Sequence, residues 1–236
     1  MFRTKSIVLN GSHEIIPDIF ALEKIGAGHD GIVFRQGDKA IKLLKYDPLT
    51  RKEKGLMTFE KAIYFTNNLE LERIAKPIDT FSDLDGVFAG YVMDYLESSD
   101  RKFTCEDLFE ATCGMEEDFK RLTANKVLAG DINRGSFIYT DDFLHLCDTD
   151  KYQHYSRFDL ACRNRNMLNF VMAKMFYFRM CDDNDFSMEE RKRLLAWVKK
   201  CSNQPNFLDE LKRGIVDTPE VSVDEFARVK VKKLLH

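Results

Sequence analysis

Gly26-Ala27-Gly28-His29-Asp30-Gly31-Ile32-Val33, followed closely by Lys39-Ala40-Ile41-Lys42, constrains the fold more than any other part of the chain. A G-x-G-x-x-G run occurs in several nucleotide-binding folds, and its flanks tell them apart. A dinucleotide fingerprint needs a strand before the glycines and a helix directly after them. Here the chain continues Ile-Val-Phe-Arg-Gln, turns at Gly37-Asp38 and resumes as Ala-Ile-Lys-Leu-Leu, which reads as a β-hairpin. A Walker A loop is excluded, because no Gly-Lys-Ser/Thr follows. Glycines at 26, 28 and 31 predict a backbone free to take positive φ and to approach a ligand with no Cβ in the way. Such a strand–turn–strand can present N–H groups to a polyphosphate, with Lys42 adding one positive charge from the next strand. A plain glycine-rich hairpin with no ligand fits the same residues.

Composition sets mild limits. The 236 residues suffice for one two-lobed unit or two small domains. With 44% hydrophobic and 32% charged residues and a net charge of -3, a soluble globular protein is expected. That balance gives no general case for nucleic-acid binding. The cysteines at 105, 113, 147, 162, 181 and 201 form no C-x-x-C, so reduced thiols in a cytoplasmic setting are expected. The first ten residues lack a signal-peptide core, and no stretch approaches the roughly eighteen apolar residues of a membrane span.

Along the chain, short β-like runs at Ser6–Leu9, Phe20–Ile25, Gly31–Phe34 and Ala40–Leu44 precede a charged segment that starts at Pro48 and Thr50. Apolar residues then recur at helical spacing over 55–71, and Pro77 ends that region. Strands are predicted at Ile78–Phe81 and Val87–Leu96, on either side of a Ser-Asp-Leu-Asp-Gly turn. Beyond residue 104 the pattern is mainly helical, apart from a β-like patch at 137–147. This predicts an α+β chain with a β-rich lobe over 1–97 and a helical lobe over 98–236.

The second half carries two acids in suggestive places. Asp131 sits on a polar loop, Ala129-Gly130-Asp131-Ile132-Asn133, and Asp148 closes a short apolar run, His145-Leu146-Cys147. One predicted hairpin separates them, so both carboxylates should emerge on one edge. Phosphoryl transfer uses such a pair, one acid to orient the acceptor hydroxyl and one to hold Mg²⁺. Aspartates also serve as caps and turn formers, which is the plainer use.

In this order, the residues resemble the protein-kinase-like superfamily over nearly the whole chain, and minimal bacterial and effector-type Ser/Thr kinases in particular. Gly26–Val33 is similar to the glycine-rich loop, and Ala40-Ile41-Lys42 to the strand-three lysine motif. The resemblance implies ATP contacts from Gly26, Ala27, Gly28, Gly31, Val33, Ala40 and Lys42. Val92-Met93-Asp94-Tyr95-Leu96 resembles the hinge, with Met93 as gatekeeper and the backbone of Asp94 and Leu96 at the adenine edge. It further implies Asp131 as catalytic base and Asp148 as a ligand of Mg²⁺. Glu60, mid-helix, is the implied partner of Lys42, ahead of Glu53 and Glu70.

The departures are equally specific. Gly130 stands where regulated kinases carry arginine, and Ser136 falls where the second metal ligand, an asparagine, is usual. Asp150 replaces the glycine after the metal-binding aspartate and adds a third acid that could face a metal; Asn133 is another candidate. No A-P-E motif follows, and a helix is predicted near 159–180, so the activation segment is very short. Activity is then expected to be constitutive or set by an activating protein partner, with protein as the acceptor. A pseudokinase scaffold and a small-molecule kinase of the aminoglycoside or choline type are the alternatives.

The remainder reads as structural. The 168–178 stretch is apolar nearly all round and is expected to be core. The clusters Arg163-Asn164-Arg165 and Arg191-Lys192-Arg193 read as solvated helix faces, the first with a possible acidic partner, and 229–235 as an amphipathic end. His29 reads as an exposed turn residue.

Overall fold

The computed structural model describes residues 2, 4–47, 52–54, 57–101, 104–182, 187–201, 204, 206–217, 221–222 and 225. Pro48, Thr50 and the amphipathic stretch 229–235 lie outside the described residues. The chain divides into a β-rich unit, 1–71 with 75–97 and 148–151, and a helical unit, 72–74 with 98–147 and 152–236.

The β-rich unit contains β1 (Ile7–Leu9), β2 (Ile15–Ile16), β3 (Glu23–Ala27), β4 (Gly31–Gln36), β5 (Lys39–Asp47), β6 (Lys52–Lys54), α1 (Phe59–Asn68), β7 (Asp79–Asp83) and β8 (Phe88–Asp94). Its antiparallel sheet runs β2-β1-β7-β8-β5-β4-β3, with β6 on β5. Strand alternation gives the two faces of β5 different work. Ile41 and Leu43 join Phe34, Phe81 and Val92 in the apolar core. Ala40 and Lys42 point to the other face beside Met93 and Tyr91, their register partners on β8.

Local chemistry explains where the elements depart from the periodic reading. The run expected as a strand from Phe20 begins instead as a 3-10 turn, Ile19–Ala21. The Asp18 carboxylate accepts the Phe20 N–H at 3.0 Å, and this capped turn wins over strand propensity. Helix α1 is shorter than the apolar pattern over 55–71. Its start is set by the Thr58 hydroxyl, which accepts the Lys61 N–H at 3.3 Å, and Leu69 ends it in an extended conformation. Gly37 supplies the φ of 59° that lets Gln36 and Lys39 pair across a two-residue turn, as the Gly37-Asp38 signal predicts.

The helical unit contains α2 (Cys105–Ala124), β9 (Val127–Leu128), β10 (Phe137–Tyr139), β11 (Leu144–Leu146), β12 (Gln153–His154), α3 (Leu160–Asp182), α4 (Met188–Cys201) and α5 (Phe207–Val216). A reciprocal capping box between Thr104 and Asp107 starts α2. That helix buries Leu108, Ala111, Met115, Phe119 and Leu122 along one stripe. In α3, Leu168, Val171, Met172, Ala173 and Met175 are buried, which accounts for its apolar sequence. The β10–β11 hairpin forms within the 137–147 patch, while the two-residue β9–β12 ladder has no sequence signal. Among the described residues, no helix is long and apolar enough to cross a membrane.

Candidate functional site

Lys42 is the centre of a charged cluster inside the β-rich unit. Its ammonium lies 2.7 Å from Asp148 Oδ1 and 2.6 Å from Asp150 Oδ2. The two acids differ in setting: the Asp148 side chain is 42% exposed and that of Asp150 only 1%. The Tyr91 hydroxyl donates to Asp150 Oδ1, and the Lys61 ammonium, from α1, donates to the Asp150 carbonyl oxygen. Burial works to push the Lys42 pKa down. The Asp150 charge and then the Asp148 charge overcome it and hold Lys42 above its ordinary value. Lys61 has less compensation, so burial lowers it to about 8 despite the pull of Asp150.

This arrangement corrects the expected partner of Lys42. Glu60 is exposed in the first turn of α1 and does not meet the lysine. One helical residue is a rotation of about 100°, so the position that faces inward is the next one, Lys61. A cation thus stands where a carboxylate was expected, and the carboxylate comes from position 150 in the 3-10 turn Thr149–Lys151.

The glycine hairpin forms from β3 and β4, with Val33 paired to Lys42 across β4 and β5. The expected positive φ at Gly26, Gly28 and Gly31 is not found; among the described glycines it belongs to Gly37 and Gly86. The requirement at Gly31 is close strand approach, since a Cβ there would meet the Leu43 carbonyl oxygen at 2.5 Å. Gly28 closes the turn by donating to the Gly31 oxygen at 2.9 Å, and open space surrounds the position its Cβ would take. Its carbonyl accepts from Lys45 at 2.6 Å. Ala27 and His29 are exposed at the tip. Ala40 and Met93 are buried register partners, Asp94 is exposed and pairs with Lys39 at 2.8 Å, and Leu96 lies half-buried past the end of β8.

Asp148 satisfies a simple test for a magnesium ligand. One of its oxygens is on Lys42, the other has no hydrogen bond among the described residues, and the side chain is reachable from solvent. Magnesium is commonly shared between one or two carboxylates and phosphate oxygens, and this donor suits that mode. No group of three or more His, Cys, Asp or Glu side chains suited to a metal converges among the described residues. Asp150 does not fit the metal role, because Lys42 and Tyr91 take its two oxygens.

In the helical unit, Asp131 is exposed with φ 50°, and Asp148 in the β-rich unit has φ 70°. Both candidate acids therefore hold a left-handed conformation that costs non-glycine residues energy and recurs at functional positions. Lys174, on α3, donates to the Ile132 carbonyl at 2.9 Å; burial lowers its pKa and the Asp131 charge pulls it back. Ser136, the expected second metal ligand, is buried, and its hydroxyl accepts the Asn133 N–H at 3.1 Å. The Ser136 carbonyl accepts from Cys147 at 2.8 Å, so this residue knits the loop to the hairpin behind it.

Tyr91 and Asn164 hold positions that the sequence does not announce. Tyr91 lies within an apolar strand, and its neighbours along the chain give no sign of a polar role. Asn164 lay in a cluster read as a solvated face, yet it is buried. It accepts the Ala129 N–H at 3.1 Å and donates to the Val127 carbonyl and the Thr123 hydroxyl, each at 2.9 Å, fixing the strand that leads into the Asp131 loop. Its neighbours do face outward, Arg163 on Asp159 at 2.7 Å and Arg165 on Asp209 at 3.3 Å. No composition or spacing signal marks either residue.

No family model matches the chain, and no curated protein sequence matches it. Solved structures do. A chain in the structure of the CAK complex of Chaetomium thermophilum bound to ATP-gamma-S aligns with a TM-score of 0.55 at 12% identity, covering 97% of this chain and 90% of that one. At that identity the likeness carries the fold. The chain has an α+β, bilobal, protein-kinase-like fold.

Proposed function

We propose that this chain is an ATP- and magnesium-dependent phosphotransferase, a minimal Ser/Thr protein kinase with a very short activation segment. The observation that carries this reading is the Lys42 ammonium, 2.7 Å from the half-exposed Asp148 and in strand register with the glycine hairpin. The ATP analogue in the structurally similar complex supports a nucleoside triphosphate as ligand. Lys42 binds phosphate oxygens, and the hairpin N–H groups and the Ala40–Met93 surface hold the rest of the nucleotide. Asp148 would hold Mg²⁺, which when bound neutralises charge on the β- and γ-phosphates. Asp131 orients the acceptor hydroxyl and accepts its proton as the γ-phosphoryl moves from the ADP oxygen to the acceptor oxygen.

The segment after Asp148 supports the minimal form. A 3-10 turn, the strand β12 and then α3 from Leu160 leave little chain for a phosphorylated loop. Activity would be constitutive or set by a protein partner. The test is transfer from labelled ATP·Mg²⁺ to the chain itself and to protein acceptors, with Asp131→Ala and Asp148→Ala beside the wild type. Transfer by the wild type and its loss in both variants is expected; equal labelling in all three refutes the mechanism.

One observation favours a second reading, a nucleotide-binding scaffold without transfer. The Ser136 hydroxyl is committed to its own loop, which leaves that position poor as a metal ligand. Stabilisation by ATP·Mg²⁺ with no transfer to any acceptor would select it.

A further inference from the structure

We propose that Asp150 is the positioning residue for Lys42, the role expected of a helix glutamate, and that α1 contributes to the site through Lys61 and the Asp150 carbonyl. This rests on the reading of Lys42 as the phosphate-binding lysine. A buried ammonium needs a fixed counter-charge, or it swings away or loses its proton. Lys42 is 9% exposed and has two carboxylates within reach. Asp148 is poorly suited to hold it permanently. It is half exposed, has one oxygen with no hydrogen bond among the described residues, and is the carboxylate placed to serve a divalent cation.

Asp150 has the opposite character. It is almost fully buried, and three elements hold it: Lys42 of β5 on one oxygen, Tyr91 of β8 on the other, and Lys61 of α1 on its carbonyl. Tyr91 is the register partner of Lys42, so the sheet itself sets the spacing of the ammonium and the phenol that share this carboxylate. A glycine at position 150 would supply no side chain there, and the exposed Glu60 does not take its place. The charge arrangement is therefore exchanged between helix and turn: cation on α1, anion at 150. The Lys61 contact with the Asp150 carbonyl ties α1 to the turn whose carboxylate meets Lys42.

The experiment is a double-mutant cycle read as affinity for ATP·Mg²⁺ by calorimetry. Asp150→Asn is expected to weaken binding at least tenfold in the wild-type background and by less than twofold in Lys42→Met, because the residue acts through the lysine. Glu60→Ala should leave affinity within twofold. If Asp150→Asn does not fold, judged by its melt, Tyr91→Phe is read in the same two backgrounds, with about a threefold loss expected only where Lys42 is present. Equal losses in both backgrounds would mean a purely structural role and overturn the proposal. So would a Glu60→Ala defect as large as that of Asp150→Asn. A wild type that does not bind ATP·Mg²⁺ removes the proposed function as well, which separates the two failures.

Discussion

Asp118 and Asp150 are both buried aspartates, at 0% and 1% exposure, and they are satisfied in opposite ways. Asp118, on α2, accepts backbone N–H groups from Glu72, Arg73 and Ile74, the Arg73 bond being 2.7 Å, with Arg121 at 3.4 Å. Asp150 is met by side chains, the Lys42 ammonium and the Tyr91 phenol. Each aspartate fixes a short excursion of the chain. Residues 72–74 belong to the helical unit although the chain on both sides belongs to the β-rich one, and 148–151 show the converse. Backbone amides anchor a segment and do nothing else with the charge. A side-chain cation held by a carboxylate is itself a reagent. Burial of a charge therefore does not mark a site; the identity of its partner does.

The largest expected effect falls beside the second aspartate. Asp148→Ala should lower phosphotransfer about 10³-fold, roughly 4 kcal/mol of barrier, in a single-turnover assay. Its melting temperature should change little, because Lys42 keeps Asp150. Asp118→Ala should do the reverse, lowering stability by about 3 kcal/mol in urea unfolding, since three buried N–H groups lose their acceptor. ATP affinity of its folded fraction should stay at the wild-type value, and a specific loss of affinity would blur the contrast. Tyr91→Phe should cost about 1 kcal/mol of stability, the value of one hydrogen bond to a charged group minus relaxation, visible as a small drop in Tm.

The smallest effect concerns the surroundings of the 72–74 anchor. Burial, and then the Arg73 guanidinium, hold the His145 pKa below its ordinary value of 6.5. The unfolded chain therefore binds a proton first as pH falls, and stability present above about pH 6.5 declines below it. His145→Gln should flatten that decline in melts between about pH 7 and pH 5. An unchanged slope would show that the histidine is neutral to folding.

Much of the β-rich unit is legible in the chain because its signals are local. The Gly37-Asp38 turn needs a residue tolerant of positive φ, and alternation along Ala40–Leu44 separates the core face from the lysine face. The nearly all-round apolar run 168–178 likewise announces a buried helix. Short pairings such as β9–β12 were not legible, because a two-residue ladder has no period to detect. At Gly31 the sequence pattern suggests conformational freedom, whereas the constraint is the Leu43 carbonyl of the neighbouring strand.

The order of the parts is written locally along the chain: glycine hairpin, lysine strand, helix, hinge-like strand, then two acids around a hairpin. Those are properties of neighbours along the chain. Which carboxylate holds Lys42 depends on how the chain packs in three dimensions. Asp150 is over a hundred positions from the lysine, and the choice between it and Glu60 depends on which face of α1 turns inward and on the register of β5 with β8. Helix rotation and strand register are set by packing of the whole apolar core, and no local pattern of residues encodes them.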